Sequence, residues 1–350
     1  MKSKDKKNRK KLLILIMSCR ERFFQEEIRR IYDTWATKRS DNVDVMYYDG
    51  GWTENGVEGN HIKSIANDGL AHTYAKTVDA FHQVLNMDKY DWVFRVNTST
   101  YVNIPLLEQF VETLAERDVL YASELYSLTE APCPEPLSLY ARGNAFLLST
   151  DLIRVIVQDG INLLYMQIVD DVAIGNVLNS YFIKKTGNYD EYLKHIRGIP
   201  HGWYKASPMK FDAGHALCQY GEDKSGDEGT EFYNRFITVQ TKMYRQREDE
   251  DQNMKELWDM MKDAPKPSLD TAIEYMKDPS VFIGSAIGYM RYWDWLRVDK
   301  LKLFAFEMEN KAIDDKQSKY FSKEEYDRLH SYPKYDNDEN VNKSSFTDKL

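Results

Sequence analysis

The stretch from Tyr90 to Phe110, YDWVFRVNTSTYVNIPLLEQF, decides how the rest of the chain is read. Trp92, Phe94 and Val96 alternate with Val93 and Arg95, and nearly every position is large. That pattern predicts a strand covered on both faces, as parallel strands are when helices pack on either side of a sheet. The strand then runs into Asn97, Thr98, Ser99 and Thr100, which cannot extend an apolar strand cheaply. They set oxygens and amides at its carboxyl end, where open α/β sheets place their ligands. Pro105 suits the first turn of a helix, and Leu106, Leu107, Phe110, Val111 and Leu114 share one face of it.

Towards the N-terminus, Leu12–Met17 predicts a first core strand closed by Ser18, Cys19 and Arg20. Phe24, Ile28, Ile31 and Trp35 follow at helical spacing. Val43–Tyr48 predicts a second strand ended by Asp49, Gly50 and Gly51, then a polar loop containing Gly56 and Gly59. A helix from His72 carries Tyr74, Val78, Phe81 and Leu85 on one face, with Lys76 beside them. Towards the C-terminus, Val119–Leu125 and Ala145–Leu148 are strand candidates separated by the Pro-rich stretch Ala131–Pro136, read as loop. Ser149 stands where it would cap a helix bearing Leu152, Val155 and Ile156. Asp170 and Asp171 precede Val172, Ile174, Val177, Leu178 and Tyr181, again at helical spacing. Strands alternating with helices to about residue 180 imply an α/β domain with a mostly parallel central sheet flanked by helices.

Beyond Ile183 the pattern loosens. Gly198–Cys218 suits a loop wall around a site, and Gly221–Gly229 is charged and Gly-rich. Phe236–Val239 reads as an edge strand. Met243–Lys262 reads as a helix with Met254, Leu257, Trp258 and Met261 facing in and Glu248–Asp251 on a solvated face. Pro265-Lys266-Pro267 marks a linker. The expected division is a basic arm (1–11), a main domain (12–263), a helical, aromatic-rich C-terminal unit (268–331) and a disordered polar tail (332–350).

Composition bounds the function. With 350 residues and 42% hydrophobic content, the chain can bury a sizeable core. A net charge of −9 argues against a general nucleic-acid binder, whose affinity comes from neutralising phosphates. Cys19, Cys133 and Cys218 form neither a disulfide framework nor a metal-knuckle spacing, which fits a reducing compartment. The apolar run Leu12–Met17 is too short to span a bilayer and is followed by Arg20, Glu21 and Arg22, so neither a transmembrane helix nor a secretory signal is expected. The basic start reads as a solvated arm or as a segment touching an anionic membrane.

Five segments in order carry a family likeness. They are Leu13–Trp35, ending Tyr-Asp-Thr-Trp-Ala; Lys76-Thr77 within Tyr-Ala-Lys-Thr-Val-Asp-Ala-Phe; Tyr90–Asn103; Tyr140–Ser149; and Asp170-Asp171-Val-Ala-Ile-Gly175. In these the chain resembles the β1,3-galactosyltransferase and fringe family of glycosyltransferases. The resemblance implies a GT-A-like (Rossmann-like) fold and an inverting transfer of a sugar from a UDP-sugar to a glycan hydroxyl. The family's acidic Asp-x-Asp cluster, which holds a divalent cation (Mn or Mg) against the donor diphosphate, reads Asn97-Thr98-Ser99 here. Hard cations prefer charged oxygens. Either the chain works with no tightly bound metal, basic side chains or backbone amides gripping the diphosphate, or it is a non-catalytic binder of sugar or nucleotide that keeps the fold.

On this reading Asp171 is the base that takes the acceptor hydroxyl's proton, and Asp170 is a like charge that makes it less acidic. The alternative reading of Asp171 is a cap on the following helix. Ser18, Arg20, Asp49, Lys76, Asn97, Ser99 and Arg245 are the donor-side candidates, with Arg95, Lys205, Lys242 and Arg247 as further sources of positive charge. Asn97 and Ser99 also suit a turn. Arg142-Gly143-Asn144 is expected as a loop near the sugars, and Trp203 as a ring against which a sugar or base stacks. His201 falls where the family often has a metal-ligating His; without the acids it reads as a hydrogen-bonding or packing residue. The aromatic C-terminal unit is a candidate homo-oligomer face. A cytoplasmic enzyme of bacterial, phage or large-virus origin is the expectation.

Overall fold

The computed structural model describes residues 11–114, 120–129, 136–160, 170–186, 195–199, 201–204, 229–241 and 250–276. The basic arm up to Lys10, the polar tail and nearly all of the C-terminal unit lie outside that set.

Strands β1 (Leu12–Met17), β2 (Val43–Asp49) and β5 (Trp92–Asn97) form the parallel centre, with β1 in the middle. They register so that Leu12 opposes Val43 and Trp92 and Met17 opposes Tyr48 and Asn97. All three strands therefore end together, at one edge of the sheet. Most of their side chains are apolar on both faces because helices cover both, Arg95 of β5 and Asp49 of β2 being buried exceptions. Leu13, Leu15 and Val93 point into one core with Tyr74, Val78 and Phe81 of α2 (Thr73–Met87). Leu12, Ile14, Trp92 and Phe94 point into the other with Ile28 and Ile31 of α1 (Arg22–Asp33), Trp35, and Leu106, Leu107 and Val111 of α3 (Ile104–Thr113). Trp35 begins a 3₁₀ turn, Trp35–Lys38, rather than ending α1.

On one flank β4 (His61–Lys63) pairs parallel with β2 and antiparallel with β3 (Gly56–Glu58). The region read as polar loop is thus a small hairpin extending the sheet. On the other flank β8 (Pro136–Ser149) pairs antiparallel with β5 and β7 (Tyr121–Thr129), and β7 pairs parallel with β9 (Ile196–Gly198). The eight-stranded order is β3-β4-β2-β1-β5-β8-β7-β9. Helices α4 (Thr150–Asp159) and α5 (Asp170–Thr186) pack on the α2 face. Pro136 opens β8 instead of closing a loop, a position that suits proline because a first residue need not donate to the ladder. The short strand expected at Ala145–Leu148 is the end of this longer one. Ser149 sits at the N-cap of α4, but its hydroxyl makes no capping bond.

A second sheet was not anticipated. Thr100–Val102 forms β6, which pairs antiparallel with β11 (Thr238–Gln240), and β11 pairs parallel with β10 (His201–Trp203). The strand foreseen near Phe236–Val239 is therefore central in its sheet, not an edge. The helix expected over 243–262 is described as α7 (Glu250–Met261), after the short α6 (Thr230–Tyr233). Met254, Leu257 and Met261 are buried as expected, but so is Glu250, against the expectation of a solvated face. After the prolines, α8 (Leu269–Met276) buries Leu269 and Ala272 in the same core as α3, and the Gln109 side chain bonds both Pro267 O and Leu269 N–H. The start of the segment read as a separate unit belongs to the main core. No helix among the described residues is long and apolar enough to cross a membrane.

Candidate functional site

The common carboxyl edge of β1, β2 and β5 brings the loops after Met17, Asp49 and Asn97 side by side. One carboxylate joins the first two. Asp68 accepts from Gly50 N–H at 2.8 Å, Arg20 N–H at 2.5 Å and Lys76 Nζ at 3.0 Å. Lys76 rises from α2, is fully buried, and also donates to the Ser18 carbonyl at 2.7 Å. A buried ammonium needs such partners. Its three donors are taken up by the fold, so Lys76 sets the loop rather than reaching out to a donor molecule. Cys19 lies 3.4 Å from the same Nζ, and burial pushes its thiol up, away from a reactive thiolate.

Asp49 is equally committed. One oxygen accepts from Trp52 Nε1 at 2.5 Å and meets His61 Nε2 at 2.8 Å; the other accepts from Gln25 at 3.2 Å. It fixes Trp52 and His61, and His61 stacks on Tyr47 with ring centres 4.4 Å apart. The Arg20 guanidinium lies over the Trp52 ring at 4.6 Å and donates to Gly51 O at 2.7 Å; Lys63 Nζ lies 4.5 Å from the same ring. Arg20 is exposed. Of the donor-side candidates with described side chains, it alone combines positive charge with access to solvent. Gly50 is required here by space: a Cβ would meet Ala66 O at 2.4 Å.

The second cluster lies under the β5–β8 side. Arg95, one of the candidates for gripping a diphosphate, is buried to 0% exposure and is already paired. Its Nη2 meets Asp170 Oδ2 at 2.6 Å, Nη1 donates to Gly143 O, and Nε reaches Tyr48 Oη at 3.4 Å. Burial alone would push the guanidinium toward its neutral form, but Asp170, Tyr48 and Asp171 outweigh that and raise its pKa. Asp170, the first residue of α5, also accepts from Thr77 Oγ1 at 3.3 Å, and Thr77 meets Tyr48 Oη at 2.7 Å. Burial pushes Tyr48 up to about 12, so it remains a neutral hydrogen-bonding group. Asp170 is thus the counter-ion of Arg95. Its charge is offset within the pair, and it does not act on Asp171 as a bare like charge.

Asp171 is half-buried and turned toward β8. Its Oδ2 accepts from Gly143 N–H at 2.9 Å and its Oδ1 from Val172 N–H at 2.8 Å. The expected loop 142–144 is part of β8, at an irregularity where Ser123 opposes Phe146 but Leu125 opposes Ala141. Such bulges re-aim backbone groups. Gly143 permits the approach, since a Cβ there would meet Asp171 Oδ2 at 2.8 Å.

Between the two sheets, Asn144 Nδ2 lies 3.0 Å from His201 Nε2, and His201 Nδ1 lies 2.8 Å from Thr238 Oγ1. Buried His201 is a hydrogen-bonding residue joining β8, β10 and β11. Ser99 holds Thr241 through its carbonyl, which accepts from the amide and the hydroxyl, both at 3.0 Å. Asn97 presents an Oδ1 that is buried without a hydrogen-bond partner among the described residues. Asn97, Thr98 and Ser99 themselves offer only a neutral amide and two hydroxyls. No group of three His, Cys, Asp or Glu among the described residues is arranged to hold a metal. This donor set does not fit a hard divalent cation held by protein ligands, which favour carboxylates.

Arg142 and Trp203 lie in β8 and β10, but their side chains are outside the described set, as are Lys205, Lys242, Arg245 and Arg247 entirely. The sequence reading missed Asp68, Trp52, His61 and Tyr48. Asp68 had a local signal, the turn sequence Asn67-Asp68-Gly69.

No family model and no curated protein matches the chain by sequence. Three of its structural neighbours are glycosyltransferases. One, involved in glycosylation of the major capsid of PBCV-1, shares 10% identity over 70% of this chain and 99% of that one, with a TM-score of 0.35. The galactosyltransferase LgtC, in complex with donor and acceptor sugar analogues, shares 9% over 73% and 98%, with a TM-score of 0.33. GlyE of Streptococcus pneumoniae TIGR4 shares 8% over 55% and 45%, with a TM-score of 0.28.

Proposed function

We propose that this chain is an inverting glycosyltransferase of GT-A-like fold. It moves a sugar from a nucleotide-sugar donor, a UDP-sugar by the family resemblance, to a glycan hydroxyl without a tightly bound metal. The observation that carries the reading is Asp171, a half-buried carboxylate with one oxygen held by Gly143 N–H, at the segment matching the family's acidic motif. In the reaction, Asp171 takes the proton of the acceptor hydroxyl as that oxygen bonds to the anomeric carbon. The bond from the anomeric carbon to the diphosphate breaks from the opposite face, and the nucleoside diphosphate leaves with the electron pair. Arg20 is the described cation suited to meet the leaving diphosphate, with Trp52 beside it as an apolar surface.

The test is a panel of nucleotide sugars assayed for transfer and hydrolysis, alongside melting temperature with and without manganese. One donor is expected to raise the melting temperature, because a ligand that binds the folded state stabilises it. Asp171→Asn should lower kcat by on the order of 100- to 10,000-fold while leaving that rise intact. Chelator should leave donor affinity nearly unchanged. The neutral Asn97-Thr98-Ser99 set favours one rival, a binder without catalysis. Donor binding with no turnover on any acceptor, in wild type as in Asp171→Asn, would establish the rival and end the enzyme reading.

A further inference from the structure

We infer that Arg95 is a positioning residue for Asp171, acting through the backbone of Gly143. The inference rests on the reading of Asp171 as the base. The guanidinium holds two things at once: the Gly143 carbonyl through Nη1 and the Asp170 carboxylate at 2.6 Å through Nη2. Gly143 N–H in turn donates to Asp171 Oδ2 at 2.9 Å, and Asp170 is the residue next to Asp171 at the start of α5. One buried side chain therefore fixes both the strand that offers the donor and the helix that carries the acceptor. Neither contact alone defines where the Asp171 oxygens stand; together they fix the strand-to-helix spacing from both sides.

Three features argue that this is more than core filling. A planar fork can hold a carbonyl and a carboxylate simultaneously, which an ammonium cannot do with the same geometry. Gly143 lies at the irregular stretch of β8, where the backbone is not locked by regular pairing and needs an outside hold. The glycine also leaves no room for error: a Cβ at that position would stand 2.8 Å from Asp171 Oδ2. Tyr48 and Thr77 brace the far side, Tyr48 against Arg95 Nε and Thr77 against Asp170.

The test uses the full chain and three variants, with the donor identified by the panel above. Arg95→Lys keeps the charge and loses the fork. It should lower kcat on the order of 100-fold, as a misplacement of about 1 Å does, with donor KM unchanged. Gly143→Ala leaves the ion pair intact and should cause a loss of similar size by displacing the carboxylate. Asp170→Asn leaves the guanidinium charge uncompensated near Asp171, so the acidic limb of the pH–rate profile should move to lower pH. A merely structural residue would move none of these in a folded variant. Should Arg95→Lys fail to fold, Gly143→Ala and Asp170→Asn decide the matter. Wild-type kcat in a folded Arg95→Lys overturns the inference, as does wild-type kcat in folded Gly143→Ala together with an unmoved limb in Asp170→Asn. If wild type itself turns over no donor, it is the enzyme reading that fails.

Discussion

The parallel half of the sheet and the antiparallel half treat their charged groups differently. At the ends of β1 and β2, Asp49, Asp68 and Lys76 direct their bonding capacity at loop backbone, at rings and at each other. They stitch loops together and keep little for a ligand, while Arg20 leans out over Trp52, with Lys63 against the same ring. Across β5, Asp171 keeps part of its surface open while Gly143 N–H steadies one oxygen and Val172 N–H the other. Two carboxylates adjacent in sequence divide the same way: Asp170 is consumed by Arg95, and Asp171 is not. What separates the two is burial and the partner, a buried guanidinium for Asp170 and backbone N–H groups for a half-buried Asp171, and the identity of the residue does not reveal that.

The largest expected effect falls at the seam between the halves. Arg95→Met should destabilise the fold by about 3–5 kcal/mol, since it strands a buried carboxylate. Replacing Asp170 as well, as Arg95→Met with Asp170→Leu, should restore most of that stability without restoring the rate. Urea unfolding and steady-state kinetics on the same samples would separate the two; a rate restored along with stability would erase the proposed division of labour. In the parallel half, Gly50→Ala should cost about 1–3 kcal/mol, because the new methyl group meets backbone rather than a flexible side chain. Its kcat should stay near wild type. A collapse in kcat at unchanged stability would mean that the Gly50 turn itself sets the place of Arg20 and Trp52 at the donor.

Tyr48→Phe should cost about 1 kcal/mol, the scale of one buried hydrogen bond, through loss of its contacts to Thr77 and Arg95. The smallest effect is a pH dependence far from the edge. Burial lowers the pKa of His82 on α2 below its ordinary 6.5, so the fold favours the neutral ring. The stability it contributes is complete above pH 6.5 and is lost as pH falls from there through the folded-state value, because the unfolded chain takes up the proton first. His82→Gln should flatten the fall in melting temperature between about pH 7 and about pH 5. An unchanged slope would assign that fall to other groups.

The parallel half was legible in the sequence because its signals are long and uniform. Leu12–Met17 is a continuous apolar run, Val43–Tyr48 and Trp92–Asn97 are interrupted only by Asp44 and by Arg95 and the closing Asn97, and the helices repeat at helical spacing. The antiparallel half was legible only in part: Val119–Leu125 and Ala145–Leu148 mark β7 and the end of β8 but not their full lengths. Arg142, Gly143 and Asn144 read as a loop, yet a bulge accommodates them inside β8. The strands β6, β9 and β10 have three residues each, too few to show a period. At the site, the reading brought Ser18, Asp49, Asn97 and Asp171 to related places on the sheet edge. It assigned Lys76 and Arg95 to ligands because burial and partnership cannot be read from residue type. A lysine or arginine facing inward is indistinguishable in sequence from one facing out until its carboxylate is found, here Asp68 and Asp170.

The small second sheet has a consequence for how the chain reaches its native state. Ser99 is held by Thr241, 142 positions later, and β6 has no partner strand until β11 arrives. Contacts so distant in sequence require closure of a long loop before they give any return, and they slow folding. On a ribosome, the first six strands and three helices would emerge with the Thr98–Val102 segment unpaired for several seconds, at roughly 5–20 residues added per second. Pulse-labelled hydrogen exchange should find the amides of β6 among the last to be protected, well after those of β1.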